Sequence, residues 1–133
     1  MDITQLDLSE ADYQTLHLCH PSTGLELVDE EDDTPVLIQL YSADSDTYRA
    51  AVRKFGNKKL NEKKNRKQSI EELEESSASL LATATHGWSG LKIGENELAF
   101  NFANAKKLYR DFPWIREQVE DFINDRSNFL KSA

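Results

Sequence analysis

Three features of this sequence predict an α+β fold, with a small N-terminal antiparallel β unit followed by a mainly helical part with one short hairpin. Before residue 45 the apolar residues alternate or form short β-branched runs bounded by Pro, Gly and Asp. From residue 45 they recur at three- and four-residue spacing, the period of a helix with one buried face. Between about 88 and 101 a short glycine-punctuated stretch interrupts that period. A chain of 133 residues suits one domain, read here as a β-rich part over 1–44 and a helical part with hairpin over 45–133.

The β part begins after Asp7–Tyr13, which reads equally as a helical turn or a strand. Leu16, Leu18 and His20 alternate with His17 and Cys19, and Pro21-Ser22-Thr23-Gly24 is a turn. Leu25–Val28 resumes the extended pattern, Asp29–Asp33 is a charged loop, and Val36–Tyr41 is the strongest strand. Three such strands make a meander or a small partial barrel.

Ser42–Asp46 offers several helix caps. Tyr48, Val52 and Phe55 then share one helical face, and Gly56-Asn57 is expected to weaken or end that helix. Ser69, with Glu72 three residues on, has the spacing of a capping box for a second helix, whose expected stripe is Ile70, Leu73, Leu80, Leu81 and Ala84. Its four early glutamates, Glu71, Glu72, Glu74 and Glu75, suit the positive end of the helix dipole. Gly87 is expected to stop it in a left-handed conformation. A hairpin follows, Leu91–Ile93 against Leu98–Phe100 around Gly94-Glu95-Asn96. Asn101 caps a helix to about Asp111 that faces Ala105, Leu108 and Tyr109 inward. Pro113 opens the last helix, where its missing N–H costs nothing, and Ile115, Val119, Phe122 and Ile123 form that helix's buried face.

The net charge of −8 is unevenly spread. Residues 1–48 hold 12 acids and no Lys or Arg, residues 49–67 hold 9 bases and one acid, and residues 68–133 hold 11 acids and 7 bases. An acidic chain repels polyanions at long range, which counts against general nucleic-acid binding. The basic run 49–67 can still track a phosphate backbone locally, although it lacks the interleaved aromatics that stack on bases. It can equally meet acidic protein. Arg49, Arg53, Lys54, Lys58 and Lys59 of one copy are expected to attract Asp29, Glu30 and Glu31 of another, a head-to-tail contact that builds rings or spirals.

No constellation in the sequence points to catalysis or to a cofactor. His17, Cys19 and His20 fall short of the about four ligands of a closed zinc site. The contiguous acids of 29–33 lack the spacing and central glycine of a calcium loop. There is no nucleophile elbow, phosphate loop or dinucleotide fingerprint. The single Cys19 excludes an internal disulfide and fits a reducing cytoplasm. The N-terminus does not read as a signal peptide, and no stretch reaches the about 20 apolar residues of a membrane span. The aromatics at predicted element ends remain. Trp88 and Phe112 read as core, while Trp114 and Phe129 serve packing or an interface equally well.

From Leu80 to Phe129 the order of motifs is distinctive: Leu80-Leu81, Gly87-Trp88-Ser89-Gly90, Leu98-Ala99-Phe100-Asn101, Asn104–Leu108, Phe112-Pro113-Trp114-Ile115-Arg116-Glu117-Gln118-Val119, then Phe129. This stretch resembles the tail assembly chaperones of long-tailed bacteriophages of the siphophage type. The resemblance implies a non-enzymatic protein that self-associates and engages the tape measure protein in the host cell cytoplasm. Such proteins keep the tape measure protein soluble while tail tube protein polymerises around it, and are absent from the mature virion. In many such phages a frameshift-extended form recruits the tail tube protein. Under this reading Trp114 and Phe129, with Ile115 and Val119, are the candidate partner-binding residues. A structural connector of the tail and a small nucleic-acid-binding protein using residues 49–67 are the alternatives.

Overall fold

Val36 to Tyr41 carries β-branched and aliphatic residues at alternating positions, and its middle forms the central strand of the only three-stranded sheet among the described residues. The computed structural model describes residues 1–62 and 70–130, with the helical backbone alone over 56–62. The fold is α+β. Strand β1 (Gln14–His17) and strand β3 (Thr85–Ser89) flank strand β2 (Leu37–Leu40), both antiparallel to it. Ile38 and Leu40 point to one face and are fully buried, as the two-residue period of a strand requires.

Beyond His17 the sheet splays. Leu25–Val28 is wedged between the continuation of β1 and the approach to β2, through bridges Cys19–Glu26 and Val28–Pro35. Leu27 donates to the Leu18 carbonyl and Val36 donates to the Leu27 carbonyl. The expected three-strand meander is therefore replaced by β1–β2 pairing with a local wedge. The third strand comes from the far side of the helices. Asp7–Tyr13 forms no strand but holds a single turn, in which Ala11 N–H donates to the Leu8 carbonyl at 3.2 Å, and a short 3-10 turn lies earlier, at Ile3–Leu6.

Helix α1 (Asp46–Glu62) is capped by Ser45, whose hydroxyl accepts from the Tyr48 N–H at 3.2 Å. It runs through Gly56-Asn57 rather than stopping there, although an interior glycine costs about 1 kcal/mol relative to alanine. Its buried contact is Ala51, while Val52 is 43% exposed. Ser69, and with it the proposed capping box, lies outside the described residues. Helix α2 (Ile70–Ala84) buries Ala78, Ser79, Leu81, Ala82 and Ala84. The buried stripe is thus rich in small residues, which lets α2 approach its neighbour closely, and Ile70 and Leu73 are left exposed.

Gly87 does not stop α2, because it lies within β3 without a positive φ. The helix ends three residues earlier, at Ala84. Tyr41 N–H takes the Ala84 carbonyl at 2.8 Å, and the Thr85 hydroxyl takes the Leu81 carbonyl at 2.8 Å. These donors supply what a left-handed cap would otherwise satisfy. The glycine that requires its conformation is Gly90, with φ +81° and Pro35 and Val36 backbone directly beneath it.

The hairpin is shorter than expected, because its second strand is Asn96–Glu97, tight against the turn, and Leu98–Phe100 lies beyond it. Strands β4 (Lys92–Ile93) and β5 (Asn96–Glu97) turn through Gly94-Glu95. Helix α3 (Phe102–Asp111) is capped by Asn101, whose side-chain oxygen accepts from Asn104 N–H at 2.8 Å. Helix α4 (Pro113–Asn124) starts at Pro113. Leu18, Ile38 and Leu40 meet Leu81, Leu108, Tyr109, Ile115, Val119 and Ile123 in one core between the sheet and helices α2–α4.

Gln118 ties α4 to the sheet. Its side-chain carbonyl accepts from Cys19 N–H at 2.9 Å and its amide donates to the Cys19 carbonyl at 2.8 Å, as a neighbouring strand would. Gln118→Ala should therefore destabilise the fold by about 1–3 kcal/mol, read as a shift in the urea midpoint at constant slope. An unchanged midpoint would mean that water replaces the clasp at no cost.

Candidate functional site

Where the splayed sheet meets the α3–α4 corner, the elements leave a groove of about 690 Å³. Its apolar lining comes from Leu18, Leu27 and Val36 on the sheet side, Leu91 on the hairpin, and Leu108, Phe112, Trp114 and Ile115 on the helices. Its polar rim is Asp29, Glu30 and Glu31 from the loop before β2, and Lys92 and Glu95 from the hairpin. A concave apolar surface with a few polar groups at its edge is the usual form of a binding site.

Local hydrogen bonds and one ion pair shape the rim. Asp29 accepts from Glu31 N–H at 2.9 Å, and Asp32 accepts from Thr34 N–H at 3.0 Å. Asp33 adopts φ +58°, a left-handed conformation that aspartate tolerates better than most residues. Lys92 Nζ sits 2.7 Å from Asp29 Oδ2, with both side chains largely sheltered, and clips the loop to the hairpin. The Lys92 hydrogen bond, helped by the Glu31 N–H, holds the Asp29 carboxyl below its usual range. The same bond raises the Lys92 ammonium. Both shifts keep the pair charged through neutral pH.

Glu30, Glu31 and Glu95 point to solvent and pair with no cation among the described residues. Four carboxylates thus face one ammonium that is already engaged, so the mouth of the groove is electronegative.

The fold brings together Trp114, Ile115, Asp29, Glu30 and Glu31 at this groove. It separates the other predicted residues from it. Val119 is fully buried on the inner face of α4, and Phe129 is 6% exposed, packed edge-on against Phe122 at 5.5 Å. Both side chains are committed to the chain's own core. Arg49, Arg53 and Lys54 are exposed on α1, and none of the described side chains of that helix lines the groove. The side chains of Lys58 and Lys59 lie outside the described residues. Arg49 adds a weaker electrostatic pull on Asp44 and Asp7 of its own chain.

Phe112 departs from its expected core role. As the junction residue between α3 and α4 it is 38% exposed and lines the groove. Leu91, Lys92 and Glu95 were not singled out in the sequence. A lone lysine in a hairpin, within an otherwise acidic neighbourhood, was the available signal.

His17 and Cys19 do not converge on a metal. The His17 ring is shared between the Leu27 carbonyl at 2.8 Å and Glu26 at 3.1 Å, and His20 Nδ1 accepts from the Ser22 and Thr23 N–H groups. Among the described residues no group of three His, Cys, Asp or Glu is placed to hold a metal ion. No described helix is long and apolar enough to cross a membrane. Compared with known proteins, the chain matches no family model, no curated protein and no solved structure.

Proposed function

We propose that this chain is a non-enzymatic tail assembly chaperone of a long-tailed bacteriophage, acting in the host cytoplasm and absent from the finished virion. It self-associates and holds the tape measure protein, a helix-rich chain, soluble while tail tube protein polymerises around it. The observation that carries this reading is the groove. Three of its lining residues, Phe112, Trp114 and Ile115, belong to the motif on which the resemblance rests. A groove with an apolar lining and a charged edge receives the apolar face of an amphipathic helix, and its edge keeps the unfilled protein in solution.

Co-expression with the tape measure protein tests the reading. The wild-type chain should keep that protein soluble and co-purify with it. Trp114→Ala, and independently the more exposed Phe112→Ala, should weaken the complex by about tenfold or more, the scale of an aromatic anchor. Circular dichroism identifies a variant that merely unfolds. Folded variants that retain full binding would sink the reading, and stoichiometric chain in purified virions would favour a tail connector instead.

A further inference from the structure

We infer that the groove selects, by charge, a partner helix whose apolar stripe is flanked by Lys or Arg. This deepens the proposed function and rests on its reading of the groove as a helix site.

The lining divides into two chemistries. The accessible apolar surface comes from Phe112 and half-buried Trp114 on the helices and from exposed Val28 and Ile93 on the loop and hairpin, with Leu108 and Ile115 buried behind them. The loop and hairpin add carboxylates at the mouth, and Glu30, Glu31 and Glu95 hold no cation among the described residues. An acidic flank on an incoming helix would meet like charge as it desolvates, whereas a basic flank gains both encounter rate and discrimination. Lys92 does not offset this, since Asp29 holds it at 2.7 Å.

A second copy of this chain is the competing occupant, because α1 displays Arg49, Arg53 and Lys54. The described residues of that helix have the matching sign but not the matching face. Among its described residues Val52 is the one large apolar side chain left exposed, at 43%, and a single valine does not fill a groove of about 690 Å³. The occupant must carry both the basic flank and several large apolar residues at i, i+3 or i+4, and i+7.

Two synthetic helical peptides test this, sharing one leucine stripe and differing only in Lys or Glu flanks. Fluorescence anisotropy at low salt should show the Lys-flanked peptide binding the full-length chain about tenfold or more tightly than its Glu-flanked twin. The gap should shrink as salt screens the rim. The triple substitution Glu30→Lys, Glu31→Lys and Glu95→Lys changes only exposed side chains and should reverse the preference. Equal binding of the two peptides would overturn the charge selection while leaving the groove a helix site. Binding of neither would remove the helix site as well. Self-association abolished both by the triple substitution and by Arg53→Glu would assign the groove to a second copy and overturn the inference.

Discussion

Gly90→Ala should destabilise the protein by about 3 kcal/mol or more, through two causes acting together. The residue sits at φ +81°, where any side chain is strained. A Cβ there would also lie 2.4 Å from the Pro35 carbonyl oxygen and 3.1 Å from the Val36 Cα. Those atoms are backbone, so no side chain can rotate away to relieve the contact. The wedge that joins residues 25–28 to β2 would have to open. Gly94→Ala is the control, because it shares the left-handed conformation (φ +63°) but has nothing within 4 Å of its Cβ. Conformational strain alone predicts about 1 kcal/mol there. Urea denaturation of both variants separates the terms, and equal losses would show that the close approach to Pro35 relaxes freely.

Tyr109→Ala should cost about 3–5 kcal/mol, the range for deleting a fully buried aromatic ring. Tyr109 is wholly inaccessible at the centre of the core and its hydroxyl lies 2.7 Å from the Thr85 hydroxyl. Thr85 already donates to the Leu81 carbonyl, so Tyr109 is the donor of the pair. Tyr109→Phe keeps the packing and loses this bond, at about 1 kcal/mol.

The same burial makes the site pH-sensitive. Burial pushes the Tyr109 phenol far up. A raised folded-state value means that the unfolded chain loses its proton first as pH rises. The contribution is therefore fully present below the ordinary phenol value of about 10 and is lost progressively above it. Melting temperature followed from neutral to alkaline pH should fall less steeply in Tyr109→Phe than in wild type. Tyr48, raised by burial and then by Glu120, accounts for part of the remaining slope. Parallel curves for the two proteins would refute the assignment to Tyr109.

Local chemistry was legible in the sequence wherever one residue decides the outcome. Asn101 capping α3, Pro113 opening α4 and the inward set Ala105, Leu108 and Tyr109 are all set by near neighbours. Gly87 misled because glycine signals a possible stop, while the actual stop was made by Tyr41, more than forty residues away in sequence. The stripe of α2 was legible at Leu81 and Ala84 but not at its start, where Ile70 and Leu73 are exposed and close packing selected Ala78 and Ala82. The charge partition singled out Asp29, Glu30 and Glu31 for contact with a second copy. It could not reveal that Trp114 and Ile115 lie beside them, since a groove assembled from four separate segments has no local signature.

The position of β3 also bears on how the chain is made. During synthesis β1 and β2 emerge early, but the strand that completes their sheet ends at Ser89, and the helices that cover Ile38 and Leu40 span 70 to 124. Until then the nascent N-terminal segment carries an open strand edge and an uncovered apolar face, the two features that invite pairing between neighbouring chains. The dense acid of residues 1–48, with no basic residue among them, keeps such emerging segments apart by mutual repulsion until the missing strand arrives.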